Sequence, residues 1–473
     1  MYERAIINKF LTILCFSVIV ILATSYIIFN KVIMPYEILL FQILLFLFFI
    51  VGILILYSLT LNSDQHQFKY IVFFVALLIK VLGVFVYYNI FLSYNGVPNQ
   101  LIGSDSVWYN EQGVLLSKYY LNKGDWNLFS YFDRPFSDFG YSYFTAIVYS
   151  LFGNNIVVIR IIQAIISSIT VVYVYKLAKC YFTEQICRLS AIVVLFFPIF
   201  TQYASDNYKE TLFILLVVLA VYHSQKLMIT TGFNVFRIFV IIGLLFSLFA
   251  FRTGTGIMCS FSIFLSILLS KSDLPKWGIF LRVFILPVIT ILLLYILFLS
   301  PAKIELENAV DTGNKYSDKV LESTNSVTLK SIATIPLFFV SSFFVPLPNL
   351  VELPGDDDKI FAEQMLSADS LLKGLFGFFA FFGIIQLIRQ SYRKYLLILS
   401  IFLSNLFMIA YAGVAFNYRH HLPIMVFFII LAMAGLFNMK KNLWIYYYFY
   451  IILYLIVVLW FNYTKLSDFG IIV

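Results

Sequence analysis

Long, unbroken apolar runs recur along almost the whole chain, and they constrain its fold more than any other feature. A helix needs about 20 apolar residues to cross the roughly 30 Å hydrocarbon core of a bilayer. Thirteen candidate spans can be laid down, at about 10–29, 35–60, 70–92, 155–178, 189–203, 207–227, 235–251, 254–270, 280–300, 371–388, 395–412, 421–437 and 443–462. The runs lack the two-residue alternation of a membrane barrel. The spacing therefore predicts an all-α polytopic membrane protein of about 13 transmembrane helices. With 62% hydrophobic and only 12% charged residues, the chain lies far from the roughly 25% charge of soluble domains. That excludes a water-soluble enzyme, a nucleic-acid-binding domain and a disordered tail. The first run, after Arg4 and Lys9, reaches Phe29 without a small-residue cleavage site, so it reads as a span and not a cleaved signal.

Charge sets the predicted orientation. With the N-terminus inside, the inner segments are 1–9, 61–69, 176–188, 226–237, 271–282, 389–394 and 438–442. They hold 16 of the 32 Lys and Arg but only four of the 24 acids, Glu3, Asp64, Glu184 and Asp273. Short loops rich in Lys and Arg mark the cytoplasmic side. Both long loops, 93–154 and 301–370, then fall outside, and long loops are usually functional. The second contains SIATIPLFFVSSFFVPLPNL, a proline-broken apolar stretch that reads as interfacial or re-entrant. Cys15, Cys180, Cys187 and Cys259 lie in or beside apolar runs, with no CxxC. They read as reduced and structural.

Five polar clusters are expected on the outer side. The first loop carries GSDSVWYNEQG. Its Asp105 can cap a helix over 105–118, deprotonate an acceptor hydroxyl or bind a divalent cation. Glu111 follows six residues on. Asp133, Arg134 and Asp138 precede an apolar surface helix near 141–153. Arg160 lies early in a span, placed to snorkel or to pair with Asp206. In SDNYKETLF, Asp206, Lys209 and Glu210 are spaced to share one helical face. They form either a capped start with a local ion pair or one wall of an outward-opening site. In FRTGTG, Arg252 sits at a turn, and Gly254 and Gly256 can let a phosphate approach the backbone, although GTG is also an ordinary turn. In NYRHHLPIMVFF, Arg419 can grip a phosphate with its guanidinium fork, and His420 and His421 diverge around a helix. Pro423 suits a first helical turn. Lys80, mid-span, is the exception to charges at the outer ends.

Together, in this order and sidedness, these clusters resemble the GT-C superfamily of integral-membrane glycosyltransferases. The likeness is to the bacterial branch related to protein O-mannosyltransferases and the lipid A aminoarabinose transferase. Asp105 is similar to the family's acid in the first outer loop. SLFGNNIVVIRIIQAI, with Arg160, is similar to its surface helix and following span. SDNYKETLF resembles the short charged cluster that opens a later span. NYRHHLPIMVFF, with Arg419 and Pro423, resembles the late Arg–Tyr–Pro opening. The resemblance covers about 70–440. It implies two extra N-terminal helices over 1–69, a GT-C-like module over 70–300, a second outer loop over 301–370 and C-terminal helices over 371–473.

The resemblance also implies an activity. A sugar would pass from a polyprenyl-phosphate donor to a glycan, lipid or protein acceptor on the outer face of a membrane, in a bacterium the plasma membrane. Asp105 would be the catalytic group. Glu111, Asp133, Arg134, Arg160, Asp206, Lys209, Glu210, Arg252, Arg419 and His420 would bind substrate. No metal is required, although a divalent cation between Asp105 and Asp206 is compatible with it. Other readings of the same residues are a polymerase or ligase of lipid-linked glycans, a flippase of lipid-linked sugars, which Lys80 favours, and a set of caps and belts without chemistry.

Overall fold

The computed structural model describes residues 2–33, 36–99, 105–123, 136–230, 234–269, 339–351, 360–411 and 418–468. These are helical apart from short connections and the segment 339–351. In chain order the helices are α1 (Tyr2–Ile33), α2 (Tyr36–Thr60), α3 (Gln65–Asn95), α4 (Asp105–Lys123), α5 (Phe136–Phe152), α6 (Ile156–Ala178), α7 (Glu184–Phe196) and α8 (Pro198–Ala204). They continue with α9 (Glu210–Ile229), α10 (Val235–Phe251), α11 (Thr253–Leu269), α12 (Ile360–Tyr411), α13 (Tyr418–Phe437) and α14 (Trp444–Asp468).

The helix ends follow local chemistry. Asp64 caps α3 by accepting from the backbone N–H of His66 (2.7 Å) and Gln67 (2.8 Å), and Gln67 closes a capping box. Asn155 and Asn234 cap α6 and α10. Gly153, at φ +80°, makes the sharp turn from α5 to α6.

Among the described residues, eight helices are long and apolar enough to cross a membrane, or nine if the bent pair α7–α8 is one span. The thirteen spans expected from sequence are not confirmed as a count, for two reasons. α10 and α11 have only 17 residues each. The 280–300 run lies outside the described residues. The runs at 371–388 and 395–412 are counted together as one helix, α12, among the eight. A straight helix of its 52 residues would span about 78 Å, more than twice a bilayer core. Instead it breaks at Ser391. Phe343 then touches Phe381 on one limb and Phe402 on the other, with ring centroids at 5.8 and 5.6 Å. The two limbs lie side by side.

α13 is buried almost throughout, as expected of a helix apolar on every side. The first limb of α12 crosses it with glycines in backbone contact at Gly383 and Gly435. α1, α2 and α14 turn large side chains such as Phe16, Leu40, Phe449 and Trp460 outward, a surface suited to lipid. The segment 339–351 packs against α12 and α14, with Phe343 on Phe381 and Phe402 and the Leu350 N–H on Asn462 Oδ1 at 2.8 Å. Lys373 fixes it, donating to the carbonyls of Ser342 (3.1 Å) and Val345 and to His421 Nδ1 (2.9 Å).

Pro198 bends α7 away from α8 by 53°, because it lacks an N–H and cannot continue the helix. Two ionisable side chains attend the break. Asp369 accepts the N–H of Ile199 at 3.0 Å, and Lys80 reaches the carbonyl of Phe200 at 3.4 Å. Lys80, buried within α3, thus reaches the helix break.

Candidate functional site

The site is assembled at one end of the bundle, where α4 and α5 fold over the starts of α6, α9, α11 and α13. α4 buries Ser106, Tyr109, Gly113 and Leu116, a stripe at helical spacing. A Cβ at Gly113 would lie 2.4 Å from Thr145 Cγ2 of α5, too close for any other residue without a shift. Tyr149 donates to Asn110 at 2.5 Å. Tyr141 stacks edge-on to Tyr109 and donates to Asn207 at 2.6 Å. Gln163 of α6 donates to Tyr141 and to the carbonyl of Tyr208. The two helices are therefore tied to the bundle by hydrogen bonds, although they lie outside its spans.

Two ionic knots sit beneath them. The first is fully buried. Asp206 Oδ1 accepts from Arg160 Nη2 (2.7 Å), Ser106 Oγ (2.6 Å) and its neighbour's backbone N–H at Asn207 (2.7 Å). Arg160 Nη2 also faces Asn99 Oδ1 at 3.0 Å and the carbonyl of Pro98. Arg160 thus pairs with Asp206 and does not snorkel. A buried pair of this kind stands only when further hydrogen bonds satisfy it, and here the carboxylate oxygen receives three.

The second knot reaches the surface. Arg419, one residue into α13, gives Nη1 to Asp105 and Nε to Glu210. Arg252, between α10 and α11, gives Nη2 to the same Glu210 oxygen at 3.4 Å. The Glu210 side chain is 1% exposed, whereas Arg252, Arg419 and Asp105 are 19, 23 and 29% exposed. A buried carboxylate thus carries two partly exposed guanidiniums, with a second carboxylate, Asp105, at their rim. The rings of Tyr208 and Phe213 lie beneath Arg419 and Arg252 at 5.5 and 5.8 Å. Lys209 is buried at the N-cap of α9, and half-buried His420 lies within electrostatic range of Arg252, Arg419 and Lys209.

Several sequence expectations change here. Asp206 and Glu210 do not share a helical face, because residues 205–208 wind off before α9 begins at Glu210. Asp206 pairs with Arg160, and Glu210 with Arg252 and Arg419, all distant in the chain. Asp105 and Asp206 likewise go to separate arginines and do not converge on one point. Among the described residues no group of three or more His, Cys, Asp and Glu is arranged to hold a metal. Gly254 and Gly256 face Met408 and Phe249 inside the bundle, so they serve packing and not a phosphate. Glu111 is exposed, off the Asp105 face. Asp133 and Arg134 lie outside the described residues, as does the side chain of Asp138. Sequence reasoning missed Ser106, Asn99, Tyr141, Asn207 and Gln163, whose types and spacing carry no signal of their own.

Residues 133–298 match the model of the dolichyl-phosphate-mannose-protein mannosyltransferase family. The matched stretch is about a third of the chain. It contains Arg160, Asp206, Glu210 and Arg252, while Asp105 and Arg419 lie outside it. No curated protein matches the chain.

Proposed function

From the premise of a GT-C-type membrane glycosyltransferase, which that match supports, we propose that the chain transfers a sugar from a polyprenyl-phosphate donor to an acceptor hydroxyl. The reaction takes place on the outer face of the membrane. The observation that carries this reading is the open knot, in which two guanidiniums on buried Glu210 have Asp105 at their rim.

The acceptor oxygen bonds to the anomeric carbon, the bond from that carbon to the phosphate oxygen breaks, and Asp105 takes the acceptor's proton. Arg419 and Arg252 neutralise the departing phosphate, the largest charge to develop in the step. Their planar forks suit a phosphate better than an ammonium would. Asp206 and Arg160, being sealed, support the site and do not touch substrate. An apolar groove of about 840 Å³ runs between α11 and the second limb of α12, from Ile257 and Phe407 to Tyr392. It starts one turn from Arg252 and suits the prenyl chain. The outer-face assignment rests on charge. The opposite end of the bundle carries the Lys- and Arg-rich connections, such as 176–188 and 438–442.

The test is an analysis of surface glycans and polyprenyl-linked sugars in cells lacking the gene, complemented with wild type or Asp105→Asn. Loss of one sugar decoration, with build-up of a polyprenyl-phosphate monosaccharide that Asp105→Asn does not relieve, is the expected result. Build-up of complete lipid-linked repeat units would instead assign the chain to polymerisation or flipping. Restoration by Asp105→Asn would remove Asp105 from the chemistry.

A further inference from the structure

We propose that Ser106 is a positioning residue that keeps Asp105 in place after the donor's phosphate has taken Arg419. The inference rests on the reading of Asp105 as the base and of Arg419 as the phosphate grip.

The first turn of α4 has two anchors of opposite character on adjacent residues. Asp105 is held by Arg419, and both are about a quarter exposed. Ser106 is held by Asp206 at 2.6 Å, and Ser106, Asp206 and Arg160 are all 0% exposed. A second acceptor, Asn99 Oδ1, lies 3.4 Å from the Ser106 hydroxyl, which has one proton to give. The shorter contact, to a carboxylate, takes it.

The two anchors respond differently to a bound phosphate. Phosphate oxyanions compete for the same guanidinium fork that holds Asp105. Once they take it, Asp105 is uncovered as a base and gives up its bond to Arg419. Near-attack geometry is unforgiving, and a displacement of about 1 Å can cost roughly 100-fold in rate. The Ser106 anchor lies one Cα step away, about 3.8 Å, and sits where neither water nor substrate reaches. It stays while the other exchanges. The site thus separates fixing the helix from masking the base, and gives the two tasks to neighbouring residues.

The experiment is hydrogen–deuterium exchange of the 105–123 amides. It uses the full chain in detergent as wild type, Asp105→Ala, Ser106→Ala and the double variant, each with and without a short-chain polyprenyl monophosphate. Either single change should leave α4 protected, and the double should exchange about tenfold faster than either. Added polyprenyl phosphate should bring Ser106→Ala to the rate of the double and leave wild type unchanged. A double variant no faster than Asp105→Ala would overturn the proposal. So would Ser106→Ala matching the double without phosphate, which is the behaviour of a hydroxyl needed only for folding. If Ser106→Ala does not fold, Ser106→Cys fills the same space with a weak donor and enters the same comparisons.

In complemented cells, Ser106→Ala should lower product about tenfold, with polyprenyl phosphate affinity changed less than twofold. Full product from Ser106→Ala beside an inactive Asp105→Asn would remove the role of Ser106 and leave the base. Product from Asp105→Asn would remove both.

Discussion

Gly435→Ala should be among the most damaging single-methyl additions in this protein. A Cβ built there lies 2.0 Å from the carbonyl oxygen of Phe379 and 2.9 Å from the nitrogen of Gly383. Real Cβ atoms keep at least 3.0 Å, so α13 and the first limb of α12 must separate by about 1 Å. Both obstacles are helix backbone and cannot swing aside. Overpacking of this kind costs about 1–3 kcal/mol. At about 2 °C per kcal/mol in a chain of this size, Tm should fall by roughly 2–6 °C. α13 also begins at the Arg419 knot. A shift of about 1 Å carried along it would reduce transfer by up to about 100-fold. The assay is thermal unfolding in detergent, with product formation in complemented cells. The control is Gly254→Ala, whose Cβ meets the flexible end of Met408 at 1.8 Å; a thioether can move away, and the loss should stay below about 1 kcal/mol. An unchanged Tm for Gly435→Ala, or equal damage from both substitutions, would refute the distinction between backbone and side-chain obstruction.

Asp105→Asn should abolish transfer with normal membrane insertion, yet bind polyprenyl phosphate several-fold more tightly, because an amide competes less well than a carboxylate for Arg419; weaker binding in a titration would exclude that competition. Arg419→Ala should weaken polyprenyl phosphate binding by at least about tenfold, and unchanged affinity would count against a phosphate grip. Asp369→Leu leaves the Ile199 N–H buried without an acceptor and should cost about 1–3 kcal/mol, whereas Asp369→Asn keeps an acceptor oxygen and should cost less; equal losses in thermal unfolding would show that the α7–α8 break does not depend on that bond.

What was legible in the sequence is what depends on long averages or on isolated charges. Continuous apolar runs located the helices, because a bilayer permits little else. The few charges at the ends of those runs pointed to the candidate site, because ionisable groups beside a membrane need partners or water. Reading fine geometry from spacing failed where the helix itself failed. Asp206 and Glu210 would share a face only if α9 began before Asp206, and it begins at Glu210. The short run at 189–203 was recognisable, but the bend at Pro198 and its service by Asp369, 170 residues away, were not. On α4, Leu115 is 48% exposed, and the buried stripe is Ser106, Tyr109, Gly113 and Leu116. Ser106 was invisible because serines are common and only the fold says which one meets a buried carboxylate.

The partition of charge between the two knots has a physical logic. Two guanidiniums held together repel, and a phosphate alone would have to overcome that repulsion on arrival. Glu210, buried and bonded to both, offsets it in advance, so the arginines are already convergent. A buried carboxylate without cations would be costly; here each partner makes the other tolerable. Asp105 then leaves the open knot with two acids against two arginines, with Lys209 buried beside it. On the proposed mechanism, a donor phosphodiester arriving with a single negative charge displaces one negative group, Asp105, from Arg419. The number of charges on Arg419 is then conserved while the chemistry changes. The exchange needs no large rearrangement, because the sealed knot of Asp206, Arg160 and Ser106 takes no part in it.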